Sequence, residues 1–345
     1  MAGFTFTGSL LTPRGAFGAT RLDDARVLVA GGLGADGSGV LDTEVYDQTT
    51  GQWTSAGALH GVHVRPQLVA TDQGAALIGG DPAGGDVRLE IWDATTTTWR
   101  SHLVDPYLAA ADGARFSTDH LDVVCGARAP LDPLGTGRFV QISLADGSVT
   151  RMPTPGYDRA HAFVAALADG SILACSGSGT AIGSAGVPVE YLARTCELFE
   201  PVEGTWRPLG RLAVPHISLD RAGECLAVLD VDALMVGGSD QTDTYTDIVE
   251  HFSASTGRWS RRAPLPDRRD LHTTTTLDST TVLVIGGEGE TGVRADGYTY
   301  DVTTDVWSPL DAMNRPRLGH AAVVLSDNSV LVVGGAEDGS CELLA

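Results

Sequence analysis

The residues of this chain whose chemistry stands out are arginines and histidines that recur at matched places. Arg14, Arg65, Arg159, His216, Arg269 and Arg317 each precede an apolar run, and Tyr107 occupies the corresponding stretch where no basic residue does. His161, His272 and His320 follow a little further along. Guanidinium groups gathered around one low-dielectric opening would hold a carboxylate or phosphate through bidentate hydrogen bonds. Acidic residues stand just beyond several of the apolar runs, at Asp81, Asp240 and Glu288. A carboxylate beside His272 or His320 would supply the paired acid and base that proton transfer needs. The sequence therefore nominates His161, His272, His320, Glu288 and Tyr107 as the catalytic set. Arg14, Arg65, Arg159, His216, Arg269, Arg317, Asp81 and Asp240 form the substrate-binding set.

What must position these groups is a repeat. An apolar strand ending in two glycines recurs as Val27–Gly32, Ala75–Gly80, Ala233–Gly238, Val282–Gly287 and Val330–Gly335, with weaker copies at Val123–Gly126 and Leu173–Gly177. The seven copies are spaced by roughly 46 to 61 residues, the range of one propeller blade. A second landmark follows most of them: a Glu, an aromatic two residues on, and a Trp nine residues on. It reads Glu44/Tyr46/Trp53, Glu90/Trp92/Trp99, Glu197/Phe199/Trp206 and Glu250/Phe252/Trp259, while Tyr298/Tyr300/Trp307 lacks the Glu. Val140, Ile142 and Val149 hold these places in the degenerate third copy. The nine-residue interval spans a strand, a tight turn such as Thr50-Gly51 or Thr256-Gly257, and the next strand. Each repeat thus reads as four antiparallel strands, whose sheet must pack against its neighbours to bury both faces.

Double glycine, Glu, aromatic and spaced Trp together resemble the kelch repeat, over essentially the whole chain. The resemblance implies an all-β, seven-bladed propeller with strand a lining a central channel and strand d outermost. Blades are expected at 12–58, 59–104, 105–152, 153–210, 211–265, 266–312 and 313–345, the last lacking strand d. Phe4 precedes Arg14 by ten residues, as Trp259 precedes Arg269 and Trp307 precedes Arg317. Residues 1–11 are therefore expected to supply the missing strand, Phe4–Leu11 pairing with Glu342–Leu344. Antiparallel order puts the d–a and b–c loops on one face, and the longest b–c loop is Gly177–Thr195. The site is expected there, at the channel mouth.

Composition narrows the function. The 345 residues carry 23 basic groups, all Arg, against 44 acidic ones, a net charge of -21. So acidic a chain lacks the basic footprint of nucleic-acid or anionic-membrane binding. Without lysine there is no Schiff base or lysine general base. An all-Arg complement is what a GC-rich bacterial genome produces. The five cysteines include no C-x-x-C pair and are expected to sit reduced in strands. No apolar run reaches the ~20 residues of a membrane span, and the first residues have no signal-peptide pattern, so a cytoplasmic setting is expected. Neither a P-loop nor a G-x-G-x-x-G before a helix is present, and Gly177-Ser178-Gly179 is a loop rather than a nucleophile elbow. The copper-radical oxidases among kelch relatives find no matching ligand set here. No cofactor and no metal are expected.

Members resembling this chain include bacterial sugar-acid mutarotases, and other propellers act as isomerases, lyases or cyclases. The expected function is a cofactor-free acid/base enzyme, or a binder, taking a small anionic or polar molecule at the mouth. The alternative is a kelch interaction module gripping an acidic peptide or protein segment.

Overall fold

Runs such as Val282-Leu283-Val284-Ile285 leave neither face fit for water, so each must be a middle strand covered on both sides. The computed structural model describes residues 3–80, 87–105, 108, 111–117, 119–125, 138–157, 161–182, 188–216, 225–240 and 244–345. These form seven four-stranded antiparallel sheets and no α-helix. The first complete blade runs β2 (Gly18–Arg21), β3 (Arg26–Ala30), β4 (Asp42–Asp47) and β5 (Gln52–Ala58), hydrogen-bonded in that order. Innermost strands touch in a closed circle: β2, β6 (Gln67–Thr71), β10 (Ala111–Ser117), β14 (Phe163–Ala166), β20 (Leu226–Leu229), β24 (Thr273–Thr276), β30 (Ala321–Val324), and back to β2. The degenerate third blade keeps four strands, because Val140 and Ile142 still fill the buried places of the missing Glu and aromatic.

The core lies between blades. Phe163, Leu173, Met235 and Phe252 share one such layer, and Leu28, Leu77, Trp92 and Trp99 share another. Several Trp indoles tie the outermost strand to the linker by which the chain enters that same blade from the preceding one. Trp53 Nε1 donates to Gly8 O at 2.9 Å, Trp206 Nε1 to Pro153 O at 2.8 Å and Trp307 Nε1 to Ala263 O at 3.0 Å.

Two of the b–c loops hold hairpins of their own. In blade four, β16 (Ser178–Ile182) pairs with β17 (Pro188–Leu192), and in blade six β26 (Glu288–Gly289) pairs with β27 (Gly292–Val293). No helix is long and apolar enough to cross a membrane among the described residues.

Closure takes the expected form with a shorter strand. The N-terminal β1 (Phe4–Thr7) pairs with β32 (Cys341–Leu344), Phe4 opposite Leu344 and Thr7 opposite Cys341. It stops at Thr7 rather than Leu11, because Gly8 N–H turns to Gly51 O at 3.0 Å and Leu10 is drawn into the core. Phe4 is buried against Leu283, Ile285, Met313 and Val332 of the last two blades. Phe4→Ala is expected to cost about 3–5 kcal/mol of unfolding free energy, read from denaturant melts. A loss under about 1 kcal/mol would mean that the terminal strand does not hold the ring shut.

Candidate functional site

Among the described residues, the linkers entering blades one, two, five, six and seven each bring a basic side chain to the carbonyl of the first glycine of the pair, and all but the sixth bring it to the strand-c Glu as well. Arg14 donates to Gly31 O at 3.3 Å and to Glu44 Oε1 at 2.6 Å. Arg317 donates to Gly334 O at 2.7 Å and to Glu342 Oε1 at 3.0 Å. Imidazoles do the same work in blades two and five. His63 Nδ1 meets Gly79 O at 2.7 Å, and His216 Nδ1 meets Gly237 O at 2.6 Å with Nε2 3.2 Å from Glu250. The carboxylate also accepts linker amides: Leu11 and Thr12 on Glu44, Ala213 on Glu250, Asn314 and Arg315 on Glu342. Blade six, which carries Tyr298 in place of Glu, substitutes Asp296, whose Oδ2 lies 3.0 Å from Arg269.

This arrangement corrects the expected anion-binding ring. Arg14, His216, Arg269 and Arg317 are buried, and apart from Arg269 Nε their side-chain nitrogens are bonded inside the blade rather than aimed at the opening. The physical reason is burial: a guanidinium taken out of water needs a carboxylate and carbonyls around it, and the repeat supplies both. His63 belongs to this set and was missed, although it stands 16 residues before Gly79 where Arg14, Arg269 and Arg317 stand 17 before theirs. Arg65, taken instead, lies two residues further on and in a different place.

That place is the channel mouth. Ala16, Arg65, His161, Leu271 and Gly319 each lie two residues after the clasp position and share one backbone conformation, with φ of 56°, 60°, 56°, 57° and 56°. Left-handed backbone at four non-glycine residues is strained by about 1–2 kcal/mol each. Linker bonds hold it, with Arg65 N–H donating to Ala16 O at 2.8 Å and Gly319 N–H to Leu271 O at 3.3 Å. Arg65 and His161 are exposed. Against the Ala16, Arg65, Leu271 and Gly319 side of this collar lies an open cavity of about 330 Å³, bordered also by Leu33, Leu318 and Glu337. Its wall is largely apolar, with one exposed guanidinium and one exposed carboxylate.

Among the described residues, His272 and His320 lie away from the opening where acid/base chemistry was expected. His272 and His320 are wholly buried one residue beyond the collar, where each ring packs on the first glycine of the preceding blade, as Phe17 does on Gly334. A Cβ at Gly286, whose φ is +63°, would stand 2.7 Å from His320 Cε1 and 2.8 Å from Arg317 O. These rings are spacers between blades. His320 Nε2 meets Thr273 Oγ1 at 3.1 Å. Glu288 pairs through its backbone with Asp270, and it sits near Tyr245, whose hydroxyl is pushed up by burial and then by that carboxylate. Asp240 Oδ1 accepts the Thr244 amide in its own turn. Asp270, which the sequence did not single out, is buried between Ser239 Oγ at 2.7 Å and the Leu271 amide at 2.7 Å, and so braces the collar. Asp81, Tyr107 and Arg159 lie outside the described residues, and no metal-ligating cluster occurs among the described ones.

No protein-family model matches the chain. Among curated proteins it is 29% identical over 149 residues to Kelch domain-containing protein 1 of Homo sapiens, covering 41% of this chain and 36% of that one. It is 28% identical over 157 residues to Kelch-like protein terF of Aspergillus terreus, covering 42% and 34%. Adagio-like protein 1 of Oryza sativa is 32% identical over 141 residues, covering 38% and 22%. The matched stretch spans about a third of the length of the first two relatives.

Burial, and then the neighbouring Arg269 charge, push the His272 pKa down to about 3. The unfolded chain binds this proton below about 6.5 while the folded one refuses it until about 3, so stability falls as pH drops through that window. His272→Phe, copying Phe17, is expected to remove up to about 1.4 kcal/mol of stability loss per pH unit between pH 6.5 and 4.5. Identical pH slopes for variant and parent would show that His272 is not a buried neutral spacer.

Proposed function

We propose that this seven-bladed β-propeller, similar in part to kelch-domain proteins, is an interaction module whose channel mouth receives a protein or peptide segment. The observation that carries this reading is the apolar cavity against the left-handed collar. An open pocket walled by Leu33, Leu271 and Leu318 fits an apolar side chain, and the exposed Arg65 at its rim fits a carboxylate next to it. The partner segment is therefore apolar with an adjacent acid. The collar is the natural place for specificity, because its five residues differ in type while the clasp beneath them repeats. Similarity to kelch-domain proteins supports an interaction role over the acid/base enzyme, and so does the sealing of His272 and His320. The acidic body as a whole disfavours nucleic acid and anionic membrane as partners.

A phage-displayed random peptide library selected on the immobilised protein tests this. Enriched sequences are expected to place Asp or Glu beside an aliphatic or aromatic residue. Leu271→Asp is expected to abolish binding of a labelled enriched peptide, and Arg65→Ala to weaken it at least tenfold, with both melting temperatures within about 3 °C of the parent. Peptides that bind both variants as well as the parent would overturn the proposal, and so would a selection that enriches none.

A further inference from the structure

We propose that Cys175 and Cys196 form a reversible disulfide that staples the base of the blade-four insertion. Cys175 ends β15 (Ile172–Cys175), Cys196 begins β18 (Cys196–Glu200), and the two are direct partners across the ladder. The hydrogen-bonded pair beside them is fixed by Ser176 N–H donating to Thr195 O at 3.1 Å. Cys196 O faces the other way and accepts from Leu209 N–H at 2.9 Å. Cys175 and Cys196 therefore occupy a non-hydrogen-bonded site, where facing Cα atoms approach to about 4.5 Å and side chains lie closest. That separation falls within the range a disulfide spans, about 4.4–6.8 Å. Both side chains turn into one interblade layer and are buried there. The Cys175 thiol donates to Phe163 O at 3.8 Å and the Cys196 thiol to Arg194 O at 3.9 Å.

The location gives the bond a consequence. Between the two cysteines runs the insertion that carries the β16–β17 hairpin, and the pair sits where it leaves the sheet. Opening this one strand end exposes both thiols without unfolding the blade. A small-molecule disulfide is the oxidant. One thiolate attacks it and releases a thiol, and the second thiolate displaces the remaining half. The Sγ–Sγ bond forms as the two cysteines lose two electrons and two protons, and the oxidant is reduced to two thiols.

The test equilibrates the folded full-length chain in reduced and oxidised dithiothreitol buffers, traps free thiols by alkylation, and maps cross-linked peptides by mass spectrometry. The expected result is a Cys175–Cys196 peptide that grows with the oxidised fraction and reverses on reduction. It should disappear in Cys196→Ser and Cys175→Ser and persist in Cys225→Ser, the third thiol of the same layer. Amide exchange across Ser178–Ile182 should slow at least threefold in the oxidised protein. The proposal is overturned if the native wild type yields no cross-link at any ratio. It is also overturned if the bond maps to Cys225 or another cysteine, or appears only after denaturation. The wild-type map decides even if a serine variant fails to fold.

Discussion

Everything in this molecule depends on a buried carboxylate that gathers a linker. Glu44, Glu250 and Glu342 each sit on strand c and bind one basic side chain and one or two backbone amides of the segment entering their blade. One group thus fixes the linker path, the tilt of the glycine pair and the start of strand a. A buried ion pair adds little stability over a well-packed apolar core, but it is costly to break on one side, and it accepts only one geometry. That directionality suits a ring, where every blade must meet its neighbours at the same angle before the last can close on the first.

The clasp also decides where function can reside. It consumes the guanidinium and imidazole groups that looked available for a ligand, and it places the residue two positions on at the opening in a left-handed turn. The same scaffold thereby offers one exchangeable side chain per blade around the mouth. In this chain the described ones are small, apolar or basic, and the cavity beside them joins an apolar wall to an exposed guanidinium. Blade six shows how far the scaffold bends: where Tyr298 displaces the Glu, Asp296 moves in from the loop to hold Arg269, and Arg294 bridges Asp296 to Asp267.

The architecture was legible because it is repeated. Double glycines, spaced Trp and the ten-residue offset from Phe4 to Arg14 located the blades and the terminal closure from the chain alone. The face that carries the cavity was legible from strand order. The site residues were not, for two reasons. Composition marks Arg and His as chemically able but does not say whether a carboxylate already waits for them across the sheet. Register also mattered at a scale of two residues: His63 and Arg65 are both basic and close together, yet one is sealed against Gly79 and the other stands at the rim. Only the separation from the glycine pair could have told them apart. The hairpin β16–β17 and the bracing Asp270 had no repeat to announce them.

The account's central claim is that the basic residues of the repeat are structural partners of the strand-c carboxylates. A double-mutant cycle on Arg317 and Glu342, followed by chemical denaturation, measures this most directly. Each single change, Arg317→Met or Glu342→Leu, should cost about 3–5 kcal/mol because it strands a buried charge, and the double change should cost well under their sum, with a coupling above about 1.5 kcal/mol. Additive losses, or singles that leave stability unchanged, would contradict the account and return Arg317 to the set of groups available for a ligand.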